Sequence, residues 1–265
     1  MHPMLTMAIK AARSAGSIIM RHHDQLERLT VESKGRKDYV SEVDRMAERE
    51  IIRILRAAYP RHGFLAEETG AQAGDDYVWI IDPLDGTTNF LHGFPQFAVS
   101  IALKHNDHLE QAVVFDPTRD ELFTASRGNG AQLNDRRIRV SRVIDLEYAL
   151  LGAGFPFRSH ENMDAWIGTL KEFMLSTSGI RRPGSAALDL AYVACGRYDG
   201  FWEFGLHPWD MAAGALLIQE AGGFVSGLMG EQNYLETGNI IAGNQKIYAE
   251  MLRRIQPHLP EALRQ

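Results

Sequence analysis

The chain has 265 residues, 45% hydrophobic and 23% charged, and its 28 basic and 34 acidic residues leave a formal charge of -6. That balance fits a soluble globular protein with a large core and lacks the basic footprint of a nucleic-acid binder, so no direct contact with nucleic acid is expected. A single cysteine, Cys195, excludes an internal disulfide framework and a cysteine-rich zinc site.

At the N-terminus, "MHPMLTMAIKAARSAGSIIMRHH" breaks its apolar residues with Lys10, Arg13 and Ser14, unlike a secretory leader. No later stretch approaches about 18 consecutive apolar residues, so no membrane span is expected and the cytoplasm is the expected location. Leu5, Ile9, Ala12, Ser17, Ile18 and Ile19 recur at helical spacing, as do Val43, Ala47, Ile51, Ile54, Leu55 and Ala58. Both segments are predicted amphipathic helices. Ser41 is placed to cap the second, Asp44 sits where a capping-box acid would, and Pro60 follows its end.

From Tyr77 to Leu133 the pattern changes to short β-like runs, "YVWII", "FAVSIAL", "QAVVF", "ELFTA" and "GAQLN", separated by the turns "HNDH", "DPTRD" and "RGNG". These predict an antiparallel meander. "RRIRVS" reads as a further strand, followed by strands near "YALLGAGF", "YDGFWEF" and "NIIAG" and helices near 161–175, 185–195, 208–221 and 244–256. The alternation predicts α+β layers in each half, 1–145 and 146–265, with a soft boundary inside one compact unit.

Chemistry concentrates in "VWIIDPLDGTTNF", residues 78–90. Pro83 is expected to end the buried strand, leaving Asp82 and Asp85 on a tight turn that Gly86 makes possible. Gly86, Thr87 and Thr88 offer successive N–H groups to an anion, and two carboxylates beside an anion site require cations between them, for which Mg²⁺ is the natural choice. An EF-hand is excluded because its closing Glu would fall on Gly93, and neither a Walker A loop nor the D-x-D-G-T of a phospho-aspartate phosphatase is present. Two further places add acids: Glu67 and Glu68 in "FLAEETG", and Asp210 in the first turn of a helix opened by Pro208 and closed by Gly222 and Gly223.

"DPLDGTTNF", "HGFPQFAVSIAL" and "WDMAAGALLIQEAGG", with the acidic pair at 67–68, resemble the inositol monophosphatase family along nearly the whole chain, from "KAARSAG" to "AGN". "MHPML", "GSAALDLAYVACGRYDGFWEFGL" and "QPHL" are most similar to its bacterial SuhB-like branch; Ser41 stands where members often carry Thr. The resemblance implies a layered αβαβα sandwich of the inositol monophosphatase and fructose-1,6-bisphosphatase superfamily, assembled as a homodimer. It implies one Mg²⁺ held by Glu67, Asp82 and the Leu84 carbonyl, a second by Asp82, Asp85 and Asp210, and a weaker third near Glu67, with lithium sensitivity. Four carboxylates carry four negative charges; two Mg²⁺ cancel them, and a third leaves two positive charges to meet a phosphate dianion.

The reaction it implies is hydrolysis of a phosphate monoester, foremost inositol 1-phosphate, by in-line attack of a metal-activated water. Glu67 and Thr87 would position the water, with Asp44 hydrogen-bonded to Thr87. The amides of Gly86 and Thr87 would hold the phosphate, and Glu203, Ala186 and Arg181 would contact the alcohol. Lys34 and Asp38 would lie in a mobile loop closing over the site, while His92 and His207 read as structural. Histidinol phosphate, sugar bisphosphates and nucleotide 3'-phosphates are the alternative substrates. The SuhB-like branch also implies partners in transcription antitermination on ribosomal RNA operons.

Overall fold

The computed structural model describes residues 2–23, 31–35, 38–156 and 161–264. Helix α1 (Pro3–His23) buries Leu5, Ala8, Ala11, Ala12, Ala15, Gly16 and Ile19, whereas Ser17 is exposed and Ile9 and Ile18 are half-buried. The buried stripe is therefore narrower and smaller than the apolar spacing predicts. Small residues let the helix lie close to the sheet beneath it: a Cβ on Gly16 would fall 2.6 Å from the Phe115 ring. A hairpin of β1 (Val31–Gly35) and β2 (Asp38–Ser41) follows, in the segment expected as a loop; the side chains of Lys34 and Asp38 lie outside the described residues. Helix α2 (Glu42–Ala58) packs against α1 and buries Val43, Ala47, Ile51, Ile54 and Leu55 of its predicted stripe together with two acids, Asp44 and Glu48, while Ala58 at its end is exposed.

Next come β3 (Gly63–Ala66), β4 (Gly70–Gln72) and β5 (Tyr77–Asp85), then the short α3 (Thr87–Leu91), then β6 (Ala98–His105), β7 (His108–Asp116), β8 (Glu121–Ser126), β9 (Gly130–Leu133) and β10 (Arg136–Arg137). They form one sheet in the order β10-β9-β8-β7-β6-β5-β3-β4, antiparallel except where β3 runs parallel to β5. The meander is as expected, but β3 and β4 were not legible as strands, and "RRIRVS" contributes only two residues. Pro83 does not end its strand either. The pairing of β5 with β6 passes from Asp82 opposite Ser100 to Asp85 opposite Ala98, so one extra residue bulges out of β5. A bulge accommodates proline because the ladder bond is already broken there.

The C-terminal half comprises β11 (Leu150–Ala153), α4 (Met163–Ser176), β12 (Gly179–Arg181), α5 (Ala186–Ala194), β13 (Gly200–Glu203), α6 (Pro208–Glu220), β14 (Phe224–Ser226), α7 (Tyr234–Thr237), β15 (Ile240–Gly243) and α8 (Gln245–Ile255). Its sheet has the order β12-β11-β13-β15-β14, with β11 parallel to both neighbours and the other pairs antiparallel. The edge strands β12 and β14, three residues each, were missed in the sequence.

Burial orders these parts into five layers. Trp79 and Ile81 of β5 pack towards α1 and α2, while Ile80 packs towards α5 and α6, so the first sheet is covered on both faces and reads as a continuous apolar run. Phe201 and Ala242 of the second sheet meet α5 and α6, and Trp202 and Ile241 on its other face meet α4 and α8. The fold is the expected αβαβα sandwich. As the middle layer, α6 is buried at every residue from Asp210 to Ile218 and has no polar face. Its last residue, Glu220, accepts the amides of Gly128 and Gly130 at 2.7 and 2.6 Å, in the turn between β8 and β9. Among the described residues no helix is long and apolar enough to cross a membrane.

Candidate active site

The bulge in β5 decides where its two acids point. In an unbroken strand, residues three apart face opposite sides. The extra residue brings Asp82 and Asp85 to one side, and Asp82 Oδ1 accepts the Leu84 amide at 2.9 Å across the bulge. Gly86 then turns the chain into α3 with φ +97°, where a Cβ would come within 2.8 Å of the Gln96 carbonyl, so the turn requires glycine.

Asp210 arrives from the middle layer. It is the third residue of α6, and its Oδ2 accepts the His207 amide at 2.7 Å, while Pro208 fixes the first turn. Asp82, Asp85 and Asp210 each offer a carboxylate oxygen, and these oxygens lie within 4.8 Å of one another. All three side chains are buried. They open on a cavity of about 430 Å³ that is also lined by Glu67, Leu84, Gly86, Thr87, Ala186, Asp189 and Glu203.

Neighbouring elements tie the acids down. Asp85 Oδ2 accepts the Ser185 hydroxyl at 2.6 Å and the Ala187 amide at 2.7 Å, at the start of α5. The Thr87 hydroxyl donates to Asp44 Oδ1 at 2.9 Å and lies 3.1 Å from the Leu84 carbonyl. Asn89 holds the approach to α5, donating to the carbonyls of Gln96 and Pro183 at 2.7 and 2.8 Å.

Burial first, then the charges of Glu67, Asp85 and Asp210, push the Asp82 carboxyl well above its ordinary range. Burial and Asp210 push Asp85 up to about 7, against the opposing pull of its bonds to Ser185 and Ala187. A cluster this desolvated and mutually repelling is stable as carboxylates only with cations among them. The donors are hard oxygens without histidine or cysteine, which suits Mg²⁺ and not zinc.

The structure therefore brings Glu67, Asp82, Leu84, Asp85, Gly86, Thr87, Ala186, Glu203 and Asp210 to one cavity, with Asp44 behind Thr87. Arg181 is not among its lining residues. It ends the edge strand β12 with its side chain exposed and its guanidinium bonded to the Ile180 carbonyl. The next residue, Arg182, lines the cavity instead, its guanidinium 4.5 Å from the Phe155 ring centroid. His92 also lines the cavity, whereas His207 stacks on Trp209 at 4.7 Å. Sequence reasoning passed over Ser185, Asn89 and Asp189. Ser185 was detectable as an N-cap, since its hydroxyl also accepts the Leu188 amide, but its contact with Asp85 bridges 100 positions.

A profile of the inositol monophosphatase family matches residues 1–261. The chain is 57% identical to the Nus factor SuhB of Pseudomonas aeruginosa, with 100% of both chains covered. Among solved structures, the extragenic suppressor protein suhB of Bartonella henselae is 46% identical with a TM-score of 0.93, covering 96% of this chain and 98% of that one. An inositol monophosphatase from Anabaena (Nostoc) sp. PCC 7120 is 38% identical with a TM-score of 0.85, covering 97% of each.

Proposed function

The chain belongs to the inositol monophosphatase family, and from that premise we propose that it is a Mg²⁺-dependent phosphatase acting on the monophosphate of a polyol, inositol 1-phosphate first. The observation that carries this reading is the convergence of the buried acids Asp82, Asp85 and Asp210, with Glu67, on one cavity. Glu67, Asp82, Asp85, Asp210 and the Leu84 carbonyl would hold the ions. When bound, Mg²⁺ supplies Lewis acidity that activates water and offsets charge on the transferred phosphoryl group and the departing oxygen.

The residues divide the remaining work. The proton of the Thr87 hydroxyl is committed to Asp44, so the Thr87 oxygen is left as an acceptor and can orient a water by one of its protons. Glu67, which also lines the cavity, would accept the other. Gly86 and Thr87 border the phosphate's place at the open end of α3. Bonds from Ser185 and Ala187 to Asp85, and from the His207 amide to Asp210, fix these carboxylates before substrate arrives, which spares reorganisation during reaction. Glu203 faces the alcohol and offers acceptors to its hydroxyls, with the start of α5 at Ala186 beside it in the cavity lining.

The test is a phosphate-release screen across inositol, histidinol, sugar and nucleotide monoesters, with and without Mg²⁺. Mg²⁺-dependent release from polyol phosphates is the expected result, inhibited by tens of millimolar Li⁺. Release that persists in chelator removes the reading. A second role is supported by the 57% identity to a Nus factor: docking to antitermination factors as a homodimer, independently of catalysis. Asp85→Asn separates the two roles, because it should abolish phosphate release yet still be recovered with those factors and rescue a deletion strain.

A further inference from the structure

We infer that Glu48 is a positioning residue that sets the place of Glu67, and that α2 is the common mount for both groups orienting the attacking water. This rests on the phosphatase reading only for the role given to Glu67. The supporting contacts are local. Glu48 is fully buried, a place where a carboxylate is tolerated only if its oxygens find donors. Each oxygen has its own: Oε2 accepts the Glu68 amide at 2.8 Å and Oε1 the Thr69 amide at 2.9 Å. Both amides belong to the turn between β3 and β4, immediately after Glu67. On the other side, the Glu67 amide donates to the Ile81 carbonyl of β5 at 3.1 Å. Glu67 is thus held between the sheet and Glu48, on the turn that joins β3 to β4.

Asp44 lies one helical turn before Glu48 on the same buried face of α2 and holds Thr87 through its hydroxyl. A rigid helix therefore fixes the separation of Glu67 and Thr87, the two groups assigned to the water. A displacement near 1 Å at such a position costs on the order of a hundredfold in rate.

Glu48→Gln tests this. The carboxamide keeps one acceptor oxygen and turns an NH₂ towards the second backbone amide, so one of the two bonds is lost. Mg²⁺ binding is measured by calorimetry without substrate, and thermal unfolding is followed with and without Mg²⁺. The Mg²⁺ concentration for half-saturation should rise about tenfold, within the range seen for groups behind metal ligands, and the thermal gain on adding Mg²⁺ should shrink. With Mg²⁺ saturating, kcat should fall while the substrate KM holds. Glu48→Asp keeps the charge but draws the turn towards α2, and should weaken Mg²⁺ likewise if Glu48→Gln does not fold. Combined with Glu67→Gln, Glu48→Gln should add no further weakening. A folded variant of Glu48 with wild-type Mg²⁺ binding, or one whose effect adds fully to that of Glu67→Gln, overturns the inference. Because the calorimetry involves no substrate, a protein that binds Mg²⁺ in this Glu48-dependent way yet releases no phosphate would overturn the phosphatase reading and leave this one standing.

Discussion

On the wall of the cavity built from the first sheet, carboxylates are bound before any ligand arrives: Asp82 by the Leu84 amide and Asp85 by Ser185 and Ala187, while behind that wall Asp44 holds the hydroxyl of Thr87. The opposite wall, made by α5 and the end of β13, is built differently. Asp189 is fully buried, yet its Oδ1 has no hydrogen-bond partner among the described residues. Glu203 fits its carboxylate against the bare Cα of Gly154, in space a Cβ would need. Arg182 rests on the face of Phe155. Under the proposed function the first wall would serve chemistry, which gains from groups that do not move, and the second, where the Asp189 oxygen has no partner, would take its missing donor from a substrate hydroxyl.

The strongest way to break this contrast is Asp85→Asn. It removes charge from the pre-bound wall while Asp82 and Asp210 remain, and phosphate release should fall by more than about 100-fold, beyond the effect of losing a mere supporting bond. Circular dichroism should be unchanged, because Gly86 still makes the turn. Next in size, Asp44→Ala and Thr87→Ala should each cost on the order of 100-fold in kcat. The double variant should be hardly worse than either single one, since both remove one unit. A fully additive loss would separate them.

Gly154→Ala sharpens the contrast from the other side. Its Cβ would fall 1.9 Å from the carboxylate carbon of Glu203, so Glu203 must move. KM for a polyol phosphate should rise about tenfold, the weight of one hydrogen bond to a charged group, with kcat little altered. An unchanged KM would show that Glu203 does not hold the alcohol.

The smallest effect concerns Asp189 in metal-free protein. Burial, then the charges of Glu203 and Asp85, raise its carboxyl well above the ordinary 3.8. Between 3.8 and the raised folded value the folded state binds more protons than the unfolded one, so stability falls as pH rises through that window. Asp189→Asn removes this slope. Its thermal midpoint should exceed that of the parent at pH 7 and converge with it near pH 4. A constant offset across pH would mean that Asp189 does not titrate differently on folding.

These walls also differed in how readily the sequence revealed them. Asp82, Asp85 and Asp210 stand beside proline, glycine and tryptophan in short motifs, so local chemistry marks them. The bulge was not visible: "DPLDG" reads as the end of a strand, because proline's missing donor is the same whether a strand stops or kinks. Glu48 sits mid-helix among charged residues, "RMAERE", and only tertiary packing distinguishes a buried acid from a solvated one. Asp189 hides in an alanine- and leucine-rich helix whose surroundings come from distant elements. The long helices and the meander follow from periodicity over many residues, whereas three-residue edge strands such as β12 and β14 are too short to show any.

The burial of α6 has a consequence for how the molecule comes apart. A helix with no polar face, seated against both sheets and anchored at Glu220 to the turn between β8 and β9, cannot lose one neighbour without exposing apolar surface to water. The segments 1–145 and 146–265, successive in the chain, are then expected to be inseparable in free energy. Denaturant should melt both in a single two-state transition. Far-ultraviolet dichroism and the fluorescence of Trp79 in one half and Trp166 and Trp202 in the other should share one midpoint.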